Sequence, residues 1–235
     1  MFQPVAIAPS ILSADFMNLG RDIRMIEQAG AGYVHVDVMD GHFVPNLTMG
    51  VPVVKQLAKL ANIPLDVHLM IANPLEQLPW FLDAGADSVT VHAEALDADG
   101  LARAVAAIHA AGAKAAVSVK PRTAVGALAP VLADLDMVLV MSVEPGFSGQ
   151  SYIEGSEAKV TRITEMARAV GASPLIQVDG GIGEVTAPIV AAAGADVLVC
   201  GNAVFAAEDP AAALAAVQAA AEEARLAALA VSKEA

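Results

Sequence analysis

Short runs of valine, isoleucine and leucine recur along the chain, and segments with helical periodicity separate them. Runs of this length predict buried strands, and the amphipathic segments between them predict helices. The first predicted helix covers residues 15–29 with Ser13 or Asp15 as its N-cap, and the last is an outer helix over residues 210–230 with a frayed tail. The eight predicted strands cover residues 5–9, 33–38, 65–70, 87–92, 114–119, 136–142, 174–179 and 196–200.

An Ala-Gly-Ala motif recurs where predicted helices end, with its glycines at Gly30, Gly85, Gly112 and Gly194. The intervals between these glycines are close to multiples of about 27 residues, a length suited to one strand and one helix. Glycine at such a position can adopt the left-handed conformation that ends a helix. Eight such units predict an α/β fold, the closed eight-stranded parallel (β/α)8 TIM barrel. An open doubly wound sheet shares the alternation, but no G-x-G-x-x-G motif follows the first strand.

The composition indicates one soluble domain, residues 1–235, because no Pro-, Ser- and Gly-rich linker divides the chain. The chain is 56% hydrophobic, but no uncharged apolar run reaches the length of about 18 residues that suggests a membrane span. The N-terminus lacks the pattern of a signal peptide, so we expect a cytoplasmic protein. The formal net charge of -13 disfavours nucleic acid and anionic membranes as partners. Cys200, the only cysteine, is expected to be a buried structural thiol.

Ionisable residues alternate with apolar ones along three of the predicted strands. Residues two apart on a strand share a face, so His35 and Asp37 point together. The third strand places Asp66 and His68 on one face, and the seventh ends with Gln177 and an aspartate. Because barrel strands end at one rim, we expect two histidines and two aspartates of these strands to form a divalent metal site. Zn²⁺ is the first choice for this set, and Fe²⁺, Mn²⁺ or Co²⁺ would also suit it.

Asp37 and Asp179 come from the second and seventh strands and so approach the barrel axis from different sides. Two carboxylates on opposite faces of a carbon can remove a proton from one side and return one to the other, which inverts the stereocentre. The metal would bind two substrate oxygens and lower the barrier to an enediolate. Met39, Met70 and Met141 occupy matching rim positions, either as core filler or as an apolar contact to a planar enediolate.

Glycines cluster after strands six, seven and eight, where backbone N–H groups can approach an anion without obstruction by side chains. This part of a barrel is the usual position for a phosphate group. We therefore expect a phosphorylated ligand, held by Gly146, Phe147, Ser148, Gly149, Gly180, Gly181, Gly201 and Asn202.

Over residues 7–205 the chain resembles ribulose-phosphate 3-epimerase, and the motifs that carry the resemblance lie at residues 8–16, 35–46, 66–70, 145–147 and 178–181. The resemblance implies a ribulose-phosphate binding type of barrel. It also implies a metal-dependent isomerase of the pentose phosphate pathway that interconverts D-ribulose 5-phosphate and D-xylulose 5-phosphate. By the same resemblance, the metal ligands are His35, Asp37, His68 and Asp179. Asp37 is the base and Asp179 the acid in one direction, and Ser10 and His68 contact the substrate. We further expect a homo-oligomer.

Four residues depart from the pattern of that family. Lys120 and Glu144 stand where asparagine is common, Ser148 where glycine is common, and Asn202 where serine is common. Because Lys120 and Glu144 each precede a proline after neighbouring strands, we expect them to form an ion pair that positions the glycine loop. If residue 148 requires a positive φ, serine costs on the order of 1 kcal/mol there relative to glycine.

The sequence also allows other functions to be considered. A 3-epimerase of a six-carbon ketose phosphate, such as allulose 6-phosphate, would use the same metal and carboxylates. A decarboxylase or aldolase is disfavoured because such reactions need a lysine close to the reacting carbon, and only Lys120 lies at a strand end. A non-catalytic phosphosugar-binding barrel would have no need of two opposed proton carriers.

Overall fold

The computed structural model describes residues 4–234, in which eight parallel strands form one sheet. From the second strand to the eighth, consecutive strands are neighbours in the sheet, and the first strand pairs with the last. An isolated parallel bridge between Ser10 and His35 joins the two remaining edges, so the predicted barrel is confirmed. Each strand begins and ends within one residue of its prediction: Ala6–Pro9 (β1), Val34–Met39 (β2), Leu65–Met70 (β3), Ser88–His92 (β4), Lys114–Val119 (β5), Met137–Met141 (β6), Leu175–Asp179 (β7) and Val197–Cys200 (β8).

Helices follow most strands and surround the barrel. Between β5 and β6, the described chain has two short 3-10 helices instead, Val125–Leu128 and Leu132–Asp134. Within residues 4–234, no helix combines the length and the apolarity that crossing a bilayer requires. The α-helices are Leu19–Gln28 (α1), Val51–Leu60 (α2), Pro74–Asp83 (α3), Ala98–Ala110 (α4), Ser156–Ala169 (α5), Ala187–Ala192 (α6), Asn202–Phe205 (α7) and Pro210–Glu234 (α8).

The first and last helices differ from their predicted bounds. Helix α1 has Asn18 as its N-cap, so the prediction that Ser13 or Asp15 caps it was wrong. The Asp15 carboxylate instead accepts hydrogen bonds from the Met17 backbone N–H (3.0 Å) and from the Asn18 side chain (2.7 Å). It therefore holds the turn ahead of the helix. Helix α8 extends to Glu234, past the residue where the sequence predicted its end.

The recurrent glycines end helices as predicted. All four have a positive φ, which an L side chain rarely adopts: Gly30 at 90°, Gly85 at 99°, Gly112 at 81° and Gly194 at 113°. Each then leads the chain back to the start of a strand within a few residues, which gives the barrel its short return loops.

Alternation along β2 separates two buried environments. Val34, Val36 and Val38 belong to the main apolar cluster with the surrounding helices. His35 and Asp37 are also buried, at 0% and 4% exposed, but they face the barrel interior. Burial of each valine against the helices stabilises the fold by roughly 1.5–3 kcal/mol. Because side chains alternate along a strand, the packing of the valines outward determines that His35 and Asp37 point inward.

The single cysteine lies at the end of β8 and is buried. Burial raises the pKa of the Cys200 thiol to about 12, so the thiol is protonated at neutral pH. The prediction of a buried structural thiol is confirmed.

Candidate active site and metal centre

A cavity of about 360 Å³ opens at the C-terminal ends of the strands. Residues from the loops after β1, β6, β7 and β8 line it, together with strand residues that include Asp37 on β2 and Asp179 on β7. The predicted site residues that line this cavity are Ser10, Asp37, Met39, Met70, Met141, Gly146, Phe147, Ser148, Gly149, Asp179, Gly180, Gly181, Gly201 and Asn202.

Four ionisable side chains converge at the floor of the cavity. One ligand atom from each of them lies within 4.8 Å of the others: His35, Asp37, His68 and Asp179. Asp37 is central, because its Oδ1 lies 3.0 Å from His68 Nδ1 and 3.3 Å from His35 Nε2. Strand register produces this arrangement, since Asp37 on β2 lies beside His68 on β3. The cluster could hold a divalent metal ion.

One nitrogen atom of the cluster is available to bind a cation. His35 Nε2 is buried without a hydrogen-bond partner, whereas Nδ1 of the same ring lies 2.7 Å from Asp66 Oδ2. A buried polar atom without a partner costs about 1–3 kcal/mol, and coordination would recover that cost. Two imidazoles and two carboxylates suit Zn²⁺ or a similar transition metal, so the residues present fit such an ion.

Asp66 orients His35 from beneath the cluster. Its carboxylate accepts hydrogen bonds from Ser88 Oγ (2.7 Å) and from Gln177 Nε2 (2.6 Å). Burial alone would raise the pKa of Asp66, but the charge and hydrogen bond of His35 lower it below its usual value. A carboxylate behind a metal-binding imidazole commonly fixes which ring nitrogen faces the metal. The sequence placed Asp66 on this face without indicating that role.

The two candidate proton carriers have opposite electrostatic environments. Burial alone would raise the pKa of Asp37, but the charge of the nearby His35 ring and a hydrogen bond to His68 hold it well below its usual range. Ser10 Oγ also donates to Asp37 Oδ2 at 2.6 Å. Burial, and then the charge of Asp37, raise the pKa of Asp179 to about 6. Separated pKa values of this kind suit one base and one acid.

The histidine rings carry opposite shifts. Burial lowers the pKa of His35, but the charges of Asp37 and Asp66 outweigh that effect and raise it well above its usual value. Burial lowers the pKa of His92 to about 4, so the His92 ring is neutral at neutral pH. The ring nitrogen His92 Nε2 lies 2.8 Å from His68 Nε2.

The contacts from β4 were missed by the sequence analysis. Ser88 supports Asp66, and His92 on the same face reaches His68. Ser88, Thr90 and His92 alternate with Val89 and Val91, which is the same pattern that identified His35 and Asp37. That alternation could have predicted that Ser88 and His92 face the barrel interior beside the cluster.

Three methionines lie in the cavity wall at the strand ends. Met39, Met70 and Met141 are buried and all line the cavity, which is where the alternation placed them. Their thioether side chains give the floor of the cavity an apolar, polarizable surface beside the carboxylates.

The loops after β6 and β7 bring backbone close to the cavity. Gly146, Gly149, Gly180 and Gly181 all have positive φ. A β-carbon on Gly180 would collide with Val143, and one on Gly181 would collide with the Tyr152 backbone. These two positions therefore require glycine, which leaves the backbone accessible from the cavity side.

Ser148 does not carry the strain considered from the sequence. No non-glycine residue in the described chain has a positive φ, so serine is compatible with this position. Ser148 Oγ donates to Asn202 Oδ1 at 3.1 Å and lies 2.5 Å from Ser13 Oγ. The unusual Ser148 and Asn202 are thus direct partners at the cavity mouth.

The predicted ion pair between Lys120 and Glu144 was wrong. Lys120 Nζ lies 3.8 Å from the centroid of the Phe43 ring, and within residues 4–234 no ion pair joins it to Glu144. Lys159 Nζ donates to the Lys120 carbonyl oxygen at 2.8 Å, and the charge of Glu144 acts on Lys159. The Lys120 ammonium therefore forms a cation–π contact instead of an ion pair.

Comparison with known proteins gives consistent matches over most of the chain. A family model described as the ribulose-phosphate 3 epimerase family matches residues 6–205. Ribulose-phosphate 3-epimerase of Mycobacterium tuberculosis is 50% identical over 213 residues, which cover 90% of this chain and 91% of that protein. The chloroplastic ribulose-5-phosphate-3-epimerase of Arabidopsis thaliana is 46% identical over 215 residues, covering 92% and 76%. The crystal structure of 3-hexulose-6-phosphate synthase from Salmonella typhimurium shares the fold, with a TM-score of 0.66, 21% identity and coverage of 93% and 99%.

Proposed function

We propose, because the chain belongs to the ribulose-phosphate 3 epimerase family, that it interconverts D-ribulose 5-phosphate and D-xylulose 5-phosphate. The chain is an enzyme, an isomerase that acts on carbohydrates. The observation that carries the detailed proposal is the placement of Asp37 and Asp179 around one cavity, with environments that push their pKa values apart.

The two carboxylates divide the proton transfer between them. Asp37 accepts the proton of substrate C3 on one face, and Asp179 donates a proton to the opposite face. His35 and His68 keep Asp37 ionised, whereas the raised pKa of Asp179 lets that group hold the proton to be delivered. In the reverse direction the two roles exchange.

We assign metal binding to the cluster of His35, Asp37, His68 and Asp179, with Zn²⁺ as the first choice and Fe²⁺, Mn²⁺ or Co²⁺ as alternatives. When bound, the ion supplies positive charge that stabilises the oxygens of an enediolate. The unpartnered Nε2 of buried His35 supports this assignment.

Substrate binding is assigned to the cavity wall. The hydroxyl of Ser10 and the ring of His68 lie beside Asp37, at 2.6 Å and 3.0 Å from its carboxylate oxygens. The methionines pack against the carbon skeleton and limit access of water. The phosphate group is held by backbone N–H groups of the glycine loops, with contributions at the mouth from Phe147, Ser148 and Asn202.

Solvent isotope incorporation tests this proposal. The purified enzyme is incubated with D-ribulose 5-phosphate in D₂O, and the xylulose product is examined by NMR. Exchange with the two carboxylates predicts deuterium at C3 of the product. Product without label at C3 would refute the two-carboxylate mechanism, and absence of turnover would favour a phosphosugar-binding role. Parallel turnover of allulose 6-phosphate measures the preference for five carbons.

The wider setting of the enzyme is also part of the proposal. We treat residues 1–235 as one catalytic domain that acts in the cytoplasm as a homo-oligomer. The exposed apolar side chain of Met17, and a groove lined by residues that include Phe16 and Leu60, support an oligomer. Light scattering on the purified chain measures its mass, and a monomeric mass would contradict this part of the proposal.

A further inference from the structure

The His68 ring contacts polar groups through both of its nitrogens. Nδ1 faces the metal cluster and lies 3.0 Å from Asp37 Oδ1, whereas Nε2 lies 2.8 Å from His92 Nε2. The other nitrogen of His92, Nδ1, lies 3.1 Å from Glu94 Oε2. The rings of His68 and His92 are fully buried, so this chain of contacts lies beneath the cavity surface.

Hydrogen-bond accounting gives the chain a direction. A neutral imidazole has one N–H donor and one acceptor nitrogen, so two rings that meet through Nε2 need one donor and one acceptor there. The Glu94 carboxylate only accepts, so His92 carries its proton on Nδ1. His92 Nε2 is then the acceptor, and His68 carries its proton on Nε2. With His68 Nε2 as a donor, Nδ1 is left to coordinate an ion, which would take the place of the proton that Nδ1 shares with Asp37 Oδ1 at 3.0 Å.

Glu94 is itself held in place from the opposite side. Its second oxygen, Oε1, accepts a hydrogen bond from the Lys120 backbone N–H at 2.7 Å. The Phe43 ring packs on His92 with 4.8 Å between ring centroids, and the Lys120 ammonium lies over the same Phe43 ring. Lys120 and Phe43 thus enclose the Glu94–His92 pair at the rim of the barrel.

We propose that His92 and Glu94 are positioning residues that fix the tautomer of His68, so that Nδ1 offers its lone pair to the metal ion. The proposal rests on the metal site of the proposed function. Neither residue contacts the cavity, and both act through His68. Asp66 plays the corresponding part for His35, so each imidazole of the cluster has its own carboxylate, one in direct contact and one through a second ring.

The structure predicts what Glu94→Gln would do. The Lys120 N–H needs an acceptor, so the amide oxygen of glutamine would remain there and the NH₂ group would face His92. His92 Nδ1 must then accept, and its proton moves to Nε2. His68 Nε2 becomes the acceptor, which leaves the His68 proton on Nδ1, where it blocks coordination. A substitution of one atom therefore reverses the whole chain of hydrogen bonds.

Zn²⁺ affinity and histidine NMR test this inference. Protein stripped of metal is titrated with Zn²⁺ against a competing chelator, and Glu94→Gln and His92→Phe should each bind about 10–100-fold more weakly than the parent. Nitrogen-15 shifts of His68 in the stripped protein should show a proton on Nε2 in the parent and on Nδ1 alone in Glu94→Gln. A general loss of packing would not remove the proton from Nε2 selectively.

The double variant tests whether Glu94 acts through His92. With His92→Phe already present, adding Glu94→Gln should weaken Zn²⁺ binding less than twofold further, because the path to His68 is already broken. His109→Phe and Asp136→Asn are matched controls, since they remove a histidine–carboxylate pair of 2.8 Å at the opposite end of the barrel. These two variants should bind Zn²⁺ as the parent does.

Separate outcomes identify which idea fails. Parent-like Zn²⁺ affinity in Glu94→Gln, or a His68 proton that stays on Nε2, would overturn the positioning role while leaving the metal site intact. A parent that binds no Zn²⁺, or that keeps full turnover after removal of the ion, would instead refute the metal part of the proposed function, and this inference with it. If His92→Phe does not fold, the Glu94→Gln measurements decide alone.

Discussion

Asp179→Asn should stabilise the metal-stripped protein while it removes activity. In the native fold, burial and the nearby charge of Asp37 disfavour the ionised form of Asp179. Its carboxylate has little to compensate for this, since His68 Nδ1 lies 3.9 Å away, beyond hydrogen-bond distance. Asparagine has nearly the same shape and no charge, so the substitution removes the repulsion with little change in packing.

The size of the effect follows from the pKa of Asp179, which is raised from 3.8 to about 6 in the folded protein. A difference of about two pH units corresponds to about 3 kcal/mol, which is the upper limit of the gain. The sign follows because the unfolded chain loses this proton first as the pH rises. The free energy of unfolding of the parent therefore falls by up to that amount between about pH 4 and pH 6, and it does not recover at higher pH.

Urea unfolding at a series of pH values measures the effect. After chelator treatment, Asp179→Asn should exceed the parent by about 1–3 kcal/mol at pH 8 and match it at pH 3.5. The control is Asp136→Asn, because burial would raise the pKa of Asp136 but the hydrogen bond and charge of Lys114 lower it, with help from the Ala115 N–H. That variant should lose stability at pH 8.

Two results would refute this reasoning. An Asp179→Asn protein that is less stable than the parent at pH 8 would mean that the carboxylate is stabilised by contacts other than those described. A gain of equal size at pH 3.5 would mean that the effect is not due to charge. With metal restored, the same variant should show kcat lowered at least about a hundredfold. The Asp179 carboxylate would then be both the group that lowers stability and the group needed for proton transfer.

Three further predictions concern the same site. Asp37→Asn in metal-replete protein should lower kcat at least about a hundredfold in a coupled epimerase assay, and retained activity would remove its role as the base. Removal of the ion by a chelator should abolish turnover and leave the far-UV circular dichroism unchanged, because the barrel core packs independently of its rim; loss of the helical signal would make the ion structural. Lys120→Asn and Glu144→Asn should have additive effects on KM in a double-mutant cycle, because Lys120 contacts Phe43 instead; coupling of the two would contradict that arrangement.

Strand positions were predictable because the outward faces are uniformly apolar. Along β2 the valines alternate with His35, Asp37 and Met39, so one pattern defines both the strand and the side chains that enter the barrel. A shift of one residue would bury the wrong set, which is why this pattern is so informative. The spacing of the recurrent glycines predicted the number of strands, since each of these glycines has the positive φ that ends one helix before the next strand.

Contacts between distant segments could not be read in the same way. The sequence placed Lys120 and Glu144 on neighbouring strand ends, but side-chain direction depends on Phe43, which the loop after β2 brings to the rim. The prediction of where α1 begins was wrong for a local reason. Ser13, Asp15 and Asn18 are all good N-cap residues, and the hydrogen bonds of the Asp15 carboxylate within the preceding turn leave Asn18 as the cap.

The different roles of the aspartates show most clearly what the sequence lacks. Asp66 and Asp179 both lie on barrel strands, but Asp66 is fully buried whereas Asp179 is partly exposed. Asp66 receives hydrogen bonds from Ser88 and Gln177 as well as a contact from His35, so its pKa is lowered and it remains an orienting carboxylate. Within residues 4–234, no donor forms a hydrogen bond to the Asp179 carboxylate, and its pKa is raised. Since those donors come from β2, β4 and β7, the choice between a supporting carboxylate and a proton carrier is made by neighbouring strands and not by the local sequence around either aspartate.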